Sequence, residues 1–356
     1  MHAASPLAGT LADGLMWYDA RDLVVEGQGW SDVESSFDRL PLRARDVLTE
    51  PEVWDLSHDS AGLCVRFETD SPRIGADWQL RRERLSLHHM PATGASGADL
   101  YVREERGWRF AGMGMCFRDG RGWMDCRDVP PNMRECAMYF PLFNGVTSFR
   151  IAIEPGRTIH RPPRRRGLSK PIVFYGTSIV HGASASRPGM AYPAMIGRWL
   201  DCPIINLGFS GKGKMYPELV KFFTELDASV FVADCLPNMK PQEVEQRTAP
   251  MVLQLRKAHP KMPIVLVDNI VDQRLLSDMD DSGRQMKNRM LQAAYERCIA
   301  EGVSNLHLVS ADPILGHDWD STVDGVHPND LGFHRMATAL HAVLKPIVAR
   351  VQETTT

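Results

Sequence analysis

Apolar and polar positions alternate at short range through the first half of the chain. Val65–Thr69, Leu100–Arg103, Trp108–Met113, Cys136–Phe140 and Ser148–Ile153 each read as strands, separated by turn pairs such as Asp119-Gly120 and Asn144-Gly145. No sustained helical period interrupts them up to about Glu154. Many short strands broken by frequent turns predict an antiparallel β-sandwich of jelly-roll type. From Pro171 the pattern changes. Apolar runs at Pro171–Tyr175, Pro203–Leu207, Ser229–Ala233, Pro263–Val267 and Leu306–Val309 read as buried strands. Helical stretches fit between and after them, at Tyr192–Leu200, Pro217–Glu225, Gln242–Ala258, Gly283–Glu301 and from Asn329 to about Arg350. Such alternation predicts a parallel five-stranded sheet with helices on both faces.

The two patterns meet at His160-Arg-Pro-Pro-Arg-Arg-Arg-Gly167. Its prolines prevent a basic helix, so the run reads as a stiff, charged linker. The expected organisation is an N-terminal sandwich over residues 1–158, a linker over 159–169 and an α/β domain over 170–356. A length of 356 residues agrees, since it exceeds what one hydrophobic core organises.

Composition narrows the function class. A net charge of -3, from 41 basic and 44 acidic residues, offers no electrostatic reason for a nucleic-acid partner. Seven cysteines, an odd number without any C-x-x-C pair, argue against a disulfide framework or a zinc knuckle and fit a reducing compartment. The N-terminus lacks a basic segment followed by an apolar one, and no stretch approaches the roughly 20 apolar residues of a membrane span. A cytoplasmic protein without a membrane partner is expected. In the N-terminal half, Trp30, Trp54, Trp78, Trp108 and Trp123 are expected to fill the core. His88 and His89, taken as strand neighbours on opposite faces, are expected to share no metal, and Met90–Gly97 reads as a small-residue loop at the sandwich rim.

Ligands of an open parallel sheet bind beyond the carboxyl ends of its strands. There the chain places Gly176-Thr-Ser178, then Asn206-Leu-Gly-Phe-Ser-Gly211-Lys-Gly213, then Asp234-Cys-Leu-Pro-Asn238, and near its end Asp324-Gly-Val-His327-Pro-Asn329. By itself, a serine on a glycine-bounded loop is most simply a helix cap, and an isolated D-x-x-H is a common helix-initiating turn. Together the four stretches supply a hydroxyl, a glycine-rich backbone, an amide, and a carboxylate beside an imidazole. That is the inventory of acyl transfer. Pro328 is expected to open the last helix as its first residue. Val180 breaks G-x-S-x-G, and Tyr216 and the absence of G-K-[ST] leave dinucleotide and P-loop binding unsupported. No cofactor and no metal are expected.

Gly-Thr-Ser178, Gly211, Asn238 and Asp324-x-x-His327, in this order and each following a strand, resemble the four blocks of the SGNH (GDSL-type) hydrolases. The likeness covers Pro171 to Arg350 and implies a flavodoxin-like three-layer domain. It also implies Ser178 as nucleophile, His327 as general base, Asp324 as its partner, and an oxyanion hole from the N–H groups of Ser178 and Gly211 with the Asn238 amide. Gly208 rivals Gly211. The chain departs from the family at Thr177, where aspartate is frequent, and in the loop before Asn238. A preceding β-sandwich is similar to a bacterial subgroup that includes carbohydrate acetylesterases and an acyltransferase. The resemblance implies a serine esterase acting on a small-molecule or saccharide acyl ester, with an acyltransferase as the alternative. A carbohydrate-binding scaffold with a vestigial site is the alternative of another class. A homo-oligomer is compatible with either.

Overall fold

A computed structural model gives the architecture and describes residues 7–270, 272–274, 281–311 and 314–353. The first six residues of the expected sandwich lie outside them. The N-terminal half forms two antiparallel sheets. One runs in the order Thr10–Ala12, Leu15–Asp19, Val146–Ile153, Ile74–Leu80, Arg121–Cys126, Met115–Cys116. The other runs Ile159–His160, Cys64–Thr69, Arg134–Tyr139, Asp99–Glu104, Gly107–Met113, with Val24–Glu26 also paired to Cys64–Thr69. Phe67, Leu100 and Met138 of the second sheet share a core with Trp78, Phe149 and Ile151 of the first. Trp78 stacks on Phe149 at 5.5 Å, and Phe149 on Phe140 at 4.2 Å.

All five expected strands of this half are present. Those at Leu15–Asp19, Ile74–Leu80 and Arg121–Cys126 are additional, and their sequences explain why they escape pattern reading. Asp77 disfavours a strand locally, but lies opposite Arg150 in the ladder and ion-pairs with it. Gly122 weakens its strand in isolation, yet a side chain there would run into the Trp78 indole. Tertiary pairing overrides local preference in both cases. A helix at Pro51–Ser57 also interrupts this half.

The parallel sheet has the order Ile204–Gly208, Ile172–Gly176, Val230–Asp234, Ile264–Val267, Leu306–Val309. Along its second-placed strand, Ile172 and Phe174 face one side, where Tyr192, Met195, Phe333 and Leu340 cover them. Val173 and Tyr175 face the other side with Leu219, Phe223, Val252 and Leu291. Helices Tyr192–Leu200 and Asp330–Glu353 thus form one outer layer, and Pro217–Phe223, Pro241–Ala258 and Ser282–Ala300 form the other. This 2-1-3-4-5 strand order is flavodoxin-like, and its topological switch flanks Ile172–Gly176. Pro328 does not begin the last helix. Asn329 caps it by accepting the Gly332 N–H at 3.0 Å, which leaves Pro328 in the preceding bridge with Thr322.

The halves are packed into each other. Trp30, Leu40, Ala44 and Val53 join the core on one face of the parallel sheet, while Met90, Ala95, Leu142 and Phe143 join it on the other. Asp99 is wholly buried, accepting from Arg187 Nη1 at 2.7 Å and from the Gly189 N–H at 3.0 Å. In the charged run between the halves, Ile159–His160 extend a sheet, and the buried Arg165 side chain pairs with Glu26 at 2.7 Å and Asp201 at 3.5 Å. The seven cysteines are free thiols, and no described helix is long and apolar enough to cross a membrane.

Candidate active site

Ile172–Gly176 ends under a one-turn helix, Ser178–His181. Thr177 caps this turn, its Oγ1 accepting the Ile179 N–H at 3.2 Å, and Gly182 closes it in the left-handed conformation. Capping is therefore done by Thr177, the residue that departs from the family pattern, and Ser178 Oγ is left for another partner. That partner is His327 Nε2 at 2.9 Å.

His327 is presented by a tight turn. Asp324 Oδ1 accepts the backbone N–H groups of Val326 at 3.0 Å and His327 at 2.8 Å, while Oδ2 meets His327 Nδ1 at 2.7 Å. A short aspartate side chain closes such a turn on itself. Burial acts to raise the Asp324 pKa, but the backbone and ring hydrogen bonds from His327 and the Val326 N–H overcome it and hold the carboxylate well below its usual range. Gln273 braces the turn from outside. Its N–H donates to the Gly325 carbonyl at 2.7 Å, and its Oε1 accepts from Ser321 N at 3.1 Å and Thr322 Oγ1 at 3.0 Å.

Each of three donors follows a different strand of the parallel sheet, Ile172–Gly176, Ile204–Gly208 and Val230–Asp234. The Ser178 N–H opens its helical turn and has no intrahelical acceptor. Gly211, at φ +72°, has no hydrogen-bond partner for its N–H among the described residues. Asn238 Oδ1 accepts the Gly213 N–H at 3.2 Å, which turns its Nδ2 the other way as a donor. Gly213 sits so close to the Gly176 carbonyl that a β-carbon would not fit. Gly208 is not equivalent to Gly211: its N–H is already donated to Asn206 Oδ1 at 2.9 Å.

The N-terminal half supplies one wall. His88 and His89 occupy a turn closed by Leu87 and Met90, rather than a strand, so both rings lie on one side with centroids 4.6 Å apart. The strand premise for keeping them apart is thereby corrected. His89 stacks on the His327 ring at 4.8 Å. Burial, aided by the neighbouring His327 and His88 imidazoles, lowers its pKa below the usual imidazole value. The Met90–Gly97 segment holds a helical turn, Ala92–Ala95, and is fixed to the other half by Thr93 Oγ1, which donates to the Ser186 carbonyl at 2.6 Å. Its neighbour Ser186 donates Oγ to Asp330 Oδ2 at 2.5 Å at the start of the last helix. The sequence shows the His88-His89 pair, but the place of His89 against His327 arises only from packing across the two halves.

Elsewhere among the described residues, Glu34, Asp38 and His58 bring possible metal ligands within 4.8 Å of one another. His58 Nδ1 is bound to Asp38 at 2.9 Å, and Arg45 and Arg81 lie against Glu34, so the cluster is already charge-paired. Below the site, Asp234 is fully buried with Tyr192 donating to it at 3.0 Å. Burial pushes this carboxyl up to about 7, with the Tyr192 bond opposing it. A raised carboxyl binds its proton in the folded state first. Its contribution to stability is full below the unfolded value near ~3.9 and is lost as pH rises through about 7. Asp234→Asn should accordingly flatten the fall in Tm between about pH 4 and pH 7. An unchanged Tm-against-pH slope in calorimetry would show that Asp234 does not carry it.

Two family models match in tandem: the GxDLY family, the N-terminus of SGNH-hydrolase-type esterases, over residues 15–159, and the GDSL-like lipase/acylhydrolase family over residues 169–345. Gly97-Ala98-Asp99-Leu100-Tyr101 spells the signature of the first, and contains the buried Asp99 of the seam. Comparison with curated protein sequences gives no match. Among solved structures, a chain from Bacteroides ovatus described as a GDSL-like lipase is 33% identical, with a TM-score of 0.87 over 94% of this chain and 98% of that one. The salicylyl-acyltransferase of a tetracycline biosynthetic pathway is 18% identical, with a TM-score of 0.73 over 94% and 99%. An acetyl xylan esterase from Butyrivibrio proteoclasticus is 10% identical, with a TM-score of 0.60 over 95% and 99%. These last two share the fold. With both halves matched in order and a relative one-third identical along nearly its whole length, the chain belongs to the GDSL-like lipase/acylhydrolase family of SGNH-type esterases.

Proposed function

We propose that the protein is a serine esterase that removes a small acyl group, acetyl foremost, from a hydroxylated substrate such as a saccharide. The supporting observation is the continuous chain from Ser178 Oγ to His327 Nε2 at 2.9 Å and from His327 Nδ1 to Asp324 Oδ2 at 2.7 Å. Ser178 Oγ attacks the ester carbonyl carbon as its proton passes to His327 Nε2, and the Asp324 carboxylate stabilises the imidazolium. The carbonyl oxygen becomes an oxyanion facing the N–H groups of Ser178 and Gly211 and Asn238 Nδ2. Collapse breaks the bond to the alcohol oxygen, which takes the proton from His327. A water, deprotonated by the same ring, then releases the acid and restores Ser178.

The acyltransferase reading rests on the end-to-end fold likeness to the salicylyl-acyltransferase. It differs only in the second step, where an alcohol takes the place of water. An acyl-chain series of aryl esters tests the proposal. Hydrolysis is expected to be fastest for acetate and to fall with chain length. Preference for a long or aromatic acyl group sinks the small-acyl assignment. Ester product formed faster than free acid, when an alcohol acceptor is added, sinks hydrolysis in favour of transfer.

A further inference from the structure

The loop that carries Gly211 is gripped on both sides by the N-terminal half. Before it, the Arg39 guanidinium is fully buried and donates to four backbone carbonyls. Within the N-terminal half Nε donates to Asp59 O at 2.7 Å and Nη2 to Leu56 O at 2.7 Å. Across the seam Nη1 donates to Asn206 O at 3.1 Å and Gly208 O at 2.8 Å, the last turn of strand before the loop. The Phe209 ring lies against the same guanidinium at 5.0 Å. After Gly211, Lys212 Nζ donates to Glu50 at 2.7 Å and pairs with Glu52 at 3.2 Å.

The strand end held by Arg39 is wired to the nucleophile. Asn206 Nδ2 donates to the Val180 carbonyl at 2.7 Å in the helical turn begun by Ser178, and the Phe209 N–H donates to Gly176 O at 2.9 Å. Gly211 itself has open space where a side chain would be, so no packing on its own Cα locates it. Its position is set by what holds the residues on either side. A planar guanidinium can span carbonyls of both halves at once, whereas an ammonium acts as a point donor.

We infer that Arg39 is a positioning residue for the esterase reaction: the N-terminal half, through Arg39 and with the Glu50–Lys212–Glu52 contact, fixes the Gly211 N–H at the distance from Ser178 that an oxyanion requires. This rests on the esterase reading and gives the N-terminal half a part in the chemistry. A displacement of about 1 Å at such a donor costs up to about 10²-fold in rate. In the full-length chain, with an aryl acetate, Arg39→Lys is expected to lower kcat about 30- to 100-fold while KM stays within about twofold. Affinity for a trifluoromethyl ketone that mimics the tetrahedral adduct should fall by a similar factor. Lys212→Met touches only the outer contact and should lower kcat about 3- to 10-fold with an unchanged Tm. Asn238→Ala serves as reference and should cost about 10²- to 10³-fold in kcat. If Asn238→Ala is fully active, the oxyanion reading itself fails. If Asn238→Ala is impaired but folded Arg39→Lys and Lys212→Met both keep wild-type kcat, the inference is overturned and the esterase reading stands. Should Arg39→Lys not fold, Lys212→Met decides alone.

Discussion

Ser178→Ala is expected to lower kcat on an aryl acetate by about 10⁵- to 10⁶-fold, the loss that follows deletion of a serine nucleophile. The change removes the one oxygen that meets His327 Nε2. It leaves the helical turn intact, because Thr177 provides the cap and alanine is the best helix former. The variant should fold with an unchanged Tm and keep its oxyanion donors, so a small residual rate from binding and electrostatics remains. A fluorophosphonate probe should label the wild type and not the variant. Labelling that persists in Ser178→Ala would place the nucleophile elsewhere. A wild type that resists the probe and hydrolyses no ester would restore the scaffold reading.

Asp324→Asn carries the second-largest effect, about 10⁴-fold in kcat. The geometry of the turn makes the cause specific. The asparagine carbonyl can take over from Oδ1 and still accept the Val326 and His327 N–H groups at 3.0 and 2.8 Å. Its amide nitrogen then faces His327 Nδ1 as a donor. Nδ1 must accept, the ring proton moves to Nε2, and the nitrogen that should take the Ser178 proton already carries one. The turn survives and the tautomer does not. Unchanged Tm with a loss of about four orders of magnitude in kcat is the expected pair of measurements. Activity within tenfold of wild type would show that Asp324 does not set the ring.

Much of this was legible in the sequence because it is local. Each strand of the parallel sheet is an apolar run bounded by turn residues, and the chemistry lies just beyond the strand ends, where the fold gathers it. Ser178, His327, Asp324 and Asn238 stand out as candidates from their places after the strands and from the family resemblance those places carry. The choice between Gly208 and Gly211 does not follow from them, since it depends on which N–H Asn206 has already engaged. Arg39 was invisible for a stronger reason. Arginine is seldom buried, and Arg39 lies in a turn-rich stretch that carries no period. Its meaning exists only where two distant parts of the chain meet. The strand at Ile74–Leu80 escapes pattern reading on the same ground, since the partner that tolerates Asp77 lies in Val146–Ile153.

Multidomain enzymes joined through loose tethers can exchange modules during evolution, and can be recombined at the bench by cutting the tether. The seam around Asp99 forbids that trade. Its carboxylate is out of reach of water and answers both Arg187 and the Gly189 N–H of the other half. A foreign sandwich grafted in its place would leave that N–H and that guanidinium without their acceptor, unless it brought an acid to the same point. The two halves must therefore be engineered as one unit.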